Sequence, residues 1–231
     1  WKNLGMEVKN ARGEWVTVDD PFLKPVFDHI EQSGKSLLMH IAEPLACWSP
    51  LVPGTPHFGY YSQHPEWHMH GKKDVLSHEA LITSRDRILT RHPKLKIVGA
   101  HFGSMEYDVA VIAKCLDTHP NFAVDTSGRL RDLAYQDSIK VRQFFVGYQD
   151  RILFGTDAGG FKFHSDLSEA ERKIQQKDYQ DSTEKWYAYL SSDQELVISG
   201  KKTRGLGLPE KVLEKIYCTN ALHWYPGLEK S

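Results

Sequence analysis

The stretch Lys96-Ile97-Val98-Gly99-Ala100-His101-Phe102 reads as a short buried strand that arrives at an imidazole. Two more runs have the same shape. Ser36-Leu37-Leu38-Met39-His40-Ile41 reaches His40, and Ile152-Leu153-Phe154-Gly155-Thr156 ends at Asp157. A fourth, Phe122-Ala123-Val124-Asp125, closes on a carboxylate. Helical stretches separate them, and strand alternating with helix predicts the parallel βαβ units of an α/β fold. Where such units close into a barrel, the strand ends converge on one face. Two imidazoles and a carboxylate meeting there point to a divalent-metal site or a base-and-acid site.

Working outward, Asp20-Pro21 reads as an N-cap with proline at the first helical position. Phe22, Val26, Phe27 and Ile30 form the apolar stripe, and Gly34 stops it. Ser77 caps a second helix that runs to about Arg91, before Pro93. Gly103-Ser104 lead into a third through Val109, Ile112, Ala113 and Leu116, ended by His119-Pro120. A fourth covers Asp137 to Val146. Beyond Asp157 the pattern predicts a polar loop, a helix over Ser182 to Leu190, a Gly/Lys-rich turn at Ser199 to Gly207 and a last helix opened by Pro209. Trp1 to Met6 read as the tail of a strand. The segment from Cys47 to about Lys73 is rich in aromatic residues and proline, with Trp48 and Trp67 near its ends. Loops of this length in compact domains are usually functional. Following a strand, this one is expected over the mouth of the barrel, walling a substrate.

The chain has 231 residues, 40% hydrophobic and 26% charged, read as a single domain over 1–231. Lys plus Arg number 29 and Asp plus Glu 30, so no field favours nucleic acid or an anionic membrane. No apolar run approaches the ~20 residues that span a bilayer. Cys47, Cys115 and Cys218 are far apart without a CxxC pair. That argues against a disulfide framework or a thiolate zinc site and suits a reducing, cytoplasmic compartment. Of the 12 histidines, His29, His92, His119 and His223 fall in or just after helical patterns and read as surface or capping residues.

Each site candidate has a plainer alternative. His40 and His101 are equally readable as satisfied core histidines. Asp157 is either paired with a cation or a helix N-cap. Asp125, before Thr126-Ser127-Gly128-Arg129, has the right position but also ordinary turn chemistry. Arg129 is a carboxylate clamp or a surface ion pair. Glu43 is a candidate ligand or base at the mouth. His68-Met69-His70 has the His-x-His form of a metal half-site. It lies in an irregular segment, and reads as loop packing or substrate contact.

With these residues in view, the chain resembles the amidohydrolase-related (amidohydrolase 2) family of metal-dependent TIM-barrel enzymes. That family includes decarboxylases of the aminocarboxymuconate-semialdehyde type and several lactonases. The motifs that carry the resemblance are Leu38-Met39-His40, Ile97 through Gly103, Ile152 through Asp157, and Leu213 through Ala221. The resemblance implies a parallel (β/α)8 barrel in which His40, His101, Asp125 and Asp157 end strands five, six, seven and eight. It implies His40 as a metal ligand and Asp157 as a ligand or the base for metal-bound water. His101 would be a second ligand, or a proton shuttle and polariser. Zinc is the metal expected, with a small-molecule substrate touched by Glu43, Trp48, Trp67, Asp125 and Arg129.

The family's strand-one His-x-His has no counterpart here, so the chain reads as a C-terminal barrel portion running from the end of strand four. Such an open sheet is expected to leave an inner face bare and to associate through its edges, as a homo-oligomer or with an upstream half. Three functions compete: a metal-dependent hydrolase of an amide, ester or lactone, a non-oxidative decarboxylase of an aromatic or muconate-type acid, and a barrel remnant serving as a binding module.

Overall fold

The computed structural model describes residues 2–157 and 167–228. Four parallel strands form one sheet in chain order: β1 (Leu37–Met39), β2 (Ile97–Gly99), β3 (Phe122–Asp125) and β4 (Ile152–Leu153). Leu38 lies beside Val98, Val98 beside Ala123, and Asp125 beside Leu153. All four expected strands are present, in the expected order. The numbering five to eight remains an implication of the resemblance.

Side-chain capping starts the helices where the sequence expects them. Asp20 accepts from the Phe22 amide ahead of Lys24–Gln32, and Ser77 accepts from Ala80 at the head of His78–Arg91. Asp137 opens Ser138–Gly147, whereas the helix expected to follow Gly103-Ser104 starts only at Val109, opened by Asp108. Each cap satisfies an orphan helix N–H and stabilises by about 1 kcal/mol.

The two faces of the sheet pack differently. Ile97, Phe122, Val124 and Ile152 join the large core beneath the helices. Val98, Ala123 and Leu153 form a second cluster with Trp224. The inner face is therefore not bare as expected. Trp224 is 3% exposed, its indole N–H donates to the Asp150 carbonyl at 3.0 Å, and the Trp224 carbonyl accepts from the Ser36 hydroxyl. Leu38, on edge strand β1, stays half exposed.

Three expected elements differ. Lys2 to Met6 make no strand of the sheet. Gly5 takes φ +80°, the amides of Met6 and Glu7 both donate to Asn3, and Leu4 makes a single bridge to Val8. The helix expected from Ser182 begins at Glu169 and runs to Ser191, because Ser168 and Glu171 form a capping box. The turn expected over Ser199 to Gly207 is a hairpin, β5 (Glu195–Ile198) against β6 (Lys201–Arg204). Ser199 and Gly200 both have positive φ, as a two-residue primed turn requires. The polar loop expected after Asp157 falls largely outside the described residues.

The last helical stretch follows Pro209: Glu210–Glu214, a π-helical turn at Lys215–Thr219, then Asn220–Trp224. The Asn220 carboxamide docks it by donating to the carbonyls of Gln149 and Ile152. Among the described residues, no helix is long and apolar enough to cross a membrane.

Candidate active site

Strand β2 was expected to continue to Phe102 but stops at Gly99. The backbone then turns left-handed over His101, Phe102, Gly103 and Ser104, with φ of 57°, 55°, 63° and 58°. That conformation costs an L-residue ~1–2 kcal/mol, with only Gly103 exempt. The surroundings over-determine it, which is how such strain persists. The His101 amide donates to Asp125 Oδ1 at 2.8 Å. The carbonyls of Gly103 and Ser104 accept from Arg85 at 2.6 Å and from His78 Nε2 at 2.9 Å. The Ser104 hydroxyl donates to the Ile41 carbonyl at 2.6 Å, tying the turn to the end of β1. A Cβ on Gly103 would stand 2.8 Å from the Arg85 guanidinium.

This turn aims the His101 ring. Its Nδ1–H donates to the Ser127 carbonyl at 2.7 Å, which leaves Nε2 with a free lone pair. The ring meets His40 edge-on, with centroids 4.4 Å apart. His40 Nε2 is buried and has no hydrogen-bond partner. Burial, then the charges of His101, Lys2 and Arg129, hold His40 down to about 3. Burial and Arg129 also hold His101 below the usual range, against the Ser127 carbonyl and the charges of Asp157 and Asp125. Both rings are neutral at pH 7, the form that binds a metal.

Asp125 builds this arrangement from beneath. Its Oδ1 accepts from the amides of His101 and Ser127, at 2.8 and 3.1 Å. Burial pushes its carboxyl up while those N–H groups hold it down. Asp157 is different: it is exposed, sits at φ 59°, and lays Oδ2 against Gly128, where a Cβ would come within 3.1 Å.

The remaining candidates are held by neighbours. Glu43 is buried, ion-paired to Lys2, and accepts from the Tyr61 hydroxyl at 3.1 Å. Trp48 donates to the Leu76 carbonyl at 2.8 Å. Trp67 lies under the Lys2 ammonium, 4.7 Å from its ring centre. Arg129 donates to Gly128, keeps a buried Nε without a partner, and places that nitrogen 4.0 Å from Glu106. His68 and His70 donate to the loop carbonyls of Ser49 and Trp48 at 2.9 and 3.1 Å, in keeping with loop packing.

A buried network escaped the sequence reading. His57, at φ 60°, bonds Asp132 through Nε2 at 2.7 Å and Arg131 through Nδ1 at 3.1 Å. Beside them Glu106 is buried, and burial pushes its carboxyl up to about 7 against the pull of Arg129. These bonds, with the Tyr135 hydroxyl on the Gly54 carbonyl, hold the aromatic segment against the Leu130–Ala134 helix that follows β3. The segment therefore lies at the carboxyl ends of the strands. No periodicity or spacing marks His57, Glu106 and Asp132 as partners.

Among the described residues, two groups bring three ligand atoms within 4.8 Å of one another: His57, Glu106 and Asp132, and Asp86, Cys115 and His119. His40 and His101 touch, whereas Asp157 does not close on them as tightly. An ion is ill served at His57, because both ring nitrogens are already engaged. It is well served at His40 and His101, where a buried Nε2 has no partner and a second Nε2 is freed by an Nδ1–H bond to a backbone carbonyl. That outer bond is typical of metal-ligating histidines.

A family model described as amidohydrolase matches residues 4–227. The chain belongs to the amidohydrolase family. Members of this family generally bind a divalent metal, and the donor set around His40 fits one. Among curated proteins, none matches this amidohydrolase. Among solved structures, it is similar to an uncharacterised TIM-barrel protein from Bordetella bronchiseptica, at 20% identity and TM-score 0.46, covering 90% of this chain and 52% of that one. It is also similar to a 2,6-dihydroxybenzoate decarboxylase complexed with 2,6-dihydroxybenzoate, at 16% identity and TM-score 0.49, covering 94% and 59%. A third is a putative 2-pyrone-4,6-dicarboxylic acid hydrolase from Pseudomonas putida, at 14% identity and TM-score 0.47, covering 94% and 62%. The chain thus spans between about half and two-thirds of the length of these three structures.

Proposed function

We propose that this amidohydrolase contributes the His40, His101 and Asp157 side of a metal-dependent hydrolytic centre acting on a small carbonyl substrate, an amide, ester or lactone. The observation that carries the reading is the buried, unpartnered Nε2 of His40 set edge-on against a neutral His101. His40, His101 and Asp157 would hold the ion, most suitably zinc given the nitrogen and oxygen donors. A bound divalent ion supplies Lewis acidity and acidifies bound water toward a pKa of ~7.

The chain's own residues then do the following. Ser127 fixes the tautomer of His101, so its Nε2 points out as an acceptor. Asp125 holds the backbone that aims it. Asp157, at the exposed rim, accepts a proton from attacking water. Arg129, whose Nε is ion-paired with Glu106, would offer its guanidinium to a carboxylate or carbonyl oxygen of the substrate. The aromatic segment, pinned by His57, limits access of bulk water. Glu43, Trp48 and Trp67 would be substrate contacts.

Decarboxylation would instead ask His101 to give a proton to carbon. With its Nδ1–H committed to the Ser127 carbonyl and Nε2 turned to the ion, His101 has no free proton to give, which favours hydrolysis. A panel of lactones, aryl esters and hydroxybenzoates, assayed with zinc for acid release and for carbon dioxide, tests the choice. Zinc-dependent ester or lactone opening that disappears in His40→Ala supports it. Carbon dioxide release without hydrolysis overturns it in favour of the lyase.

A further inference from the structure

On the outer layer, away from His40, three metal-competent side chains meet. Asp86 comes from the middle of the His78–Arg91 helix. Cys115 and His119 are four residues apart on the Val109–Thr118 helix and its cap, so they share one face. One ligand atom from each lies within 4.8 Å of the other two. His119 immediately precedes the β3 region, whereas His40 and His101 follow strands. The cluster is therefore toward the opposite end of the sheet from the candidate active site.

We propose that Asp86, Cys115 and His119 form a second, peripheral site for a divalent transition metal, zinc-like in preference, that staples the two helices together. The donor set is one carboxylate, one thiol sulfur and one imidazole, a combination that suits a borderline-soft ion. His119 is 8% exposed, yet among the described residues neither of its ring nitrogens makes a hydrogen bond. It and Asp86 line an open cavity of about 360 Å³ with Thr83, Thr90, Arg87 and Arg91, both arginines being engaged by Asp19, which leaves room for a water as fourth ligand. Three protein ligands and an open position make a recognised zinc arrangement.

Arg85 supplies the outer shell. Its Nε and NH2 both donate to Asp86 Oδ1, at 2.9 and 2.7 Å, leaving Oδ2 for an ion. The same NH2 reaches Cys115 Sγ at 3.4 Å, as donors around coordinated thiolates do. Burial holds His119 below its usual range, so its ring is neutral and ligating. Burial pushes the Cys115 thiol up to about 11, with Arg85 pulling it down. Coordination deprotonates such a thiol: the S–H proton leaves to solvent and the sulfur lone pair goes to the metal. The absence of CxxC pairs argued against a thiolate site. The signal that pattern missed is Cys-x-x-x-His on one helix face.

Cobalt(II) titration of the full chain tests this separately from activity. The His40 centre contains no sulfur, so a thiolate-to-cobalt charge-transfer band can come only from a cysteine site. The band is expected in the unaltered chain, in the His40→Ala/His101→Ala variant, and in Cys47→Ser/Cys218→Ser. It is expected to vanish in Cys115→Ser. His119→Gln and Asp86→Asn, which leave the cysteine in place, should weaken cobalt binding about 10-fold or more. Zinc should raise the thermal midpoint of the unaltered chain more than that of Cys115→Ser. Absence of the band, its survival in Cys115→Ser, or its loss in Cys218→Ser would overturn the proposal. Unchanged cobalt affinity in both His119→Gln and Asp86→Asn would do the same.

Discussion

The ends of β2 and β4 carry the two kinds of candidate ligand and are built in opposite ways. At β2, His101 sits in a left-handed turn fastened by Asp125, Arg85, His78 and Ser104, all buried. At β4, a strand of two residues gives way to an exposed Asp157. Buried hydrogen bonds hold the imidazole side in place, whereas the carboxylate side stands exposed. Substitutions on the first should therefore be read in stability, and on the second in chemistry.

The largest effect is expected from Asp125→Ala. It orphans the buried His101 N–H and the part-buried Ser127 N–H and releases the strained turn, costing about 2–4 kcal/mol in urea or thermal unfolding. An effect below about 0.5 kcal/mol would break the contrast. Next is Gly103→Ala, which puts a Cβ into the left-handed region and against Arg85 and Phe122. Its cost should be about 1–3 kcal/mol, with the His40–His101 contact disturbed.

Which of this was legible beforehand follows from the physics of each signal. Asp20, Ser77 and Asp137 were readable as helix starts because capping is local chemistry between a side chain and amides two or three residues on. His40, His101 and Asp157 were readable because short apolar runs mark buried strands and their ends. The left-handed turn was not readable, since an apolar run carries no information on the sign of φ and Gly103 alone hints at it. The Ser168–Glu171 box is a local signal that starts the helix ahead of the expected Ser182, and the turn expected over Ser199 to Gly207 holds the Ser199-Gly200 pair but gave no sign of the two strands it joins. The His57–Asp132 bond and the packing of Trp224 under Val98, Ala123 and Leu153 join residues far apart in sequence. Long-range contacts of that kind leave no local pattern.

Acid should sharpen the contrast further. His40 and His78 are held to about 3 and about 4 in the folded chain, from 6.5 when unfolded. Their unfolded forms take up protons first, so the stability they carry is full above pH 6.5 and is lost as pH falls toward 4 and 3. Glu106, raised from 4.5 to about 7, acts with the opposite sign. Its contribution is full below pH 4.5 and is lost as pH rises through 7. His78→Phe should therefore flatten the fall in urea midpoint between about pH 7 and pH 5, and Glu106→Gln should steepen it. The reverse order of slopes would contradict both assignments. The smallest effect on stability belongs to Asp157→Ala, expected within about 0.5 kcal/mol because the residue is exposed. Zinc-dependent turnover should nevertheless fall at least about 10²-fold.

The most direct test of the central claim is nitrogen-15 NMR of the histidine side chains, with His40 and His101 assigned by single substitution and titrated with zinc. The His40 ring should remain neutral at pH 5, and His101 should titrate below the usual imidazole range and be in the Nδ1–H tautomer. Zinc should move the Nε2 resonances of these two before those of His68 and His70. Rings that titrate near 6.5, with Nε2 resonances indifferent to zinc, would contradict the account.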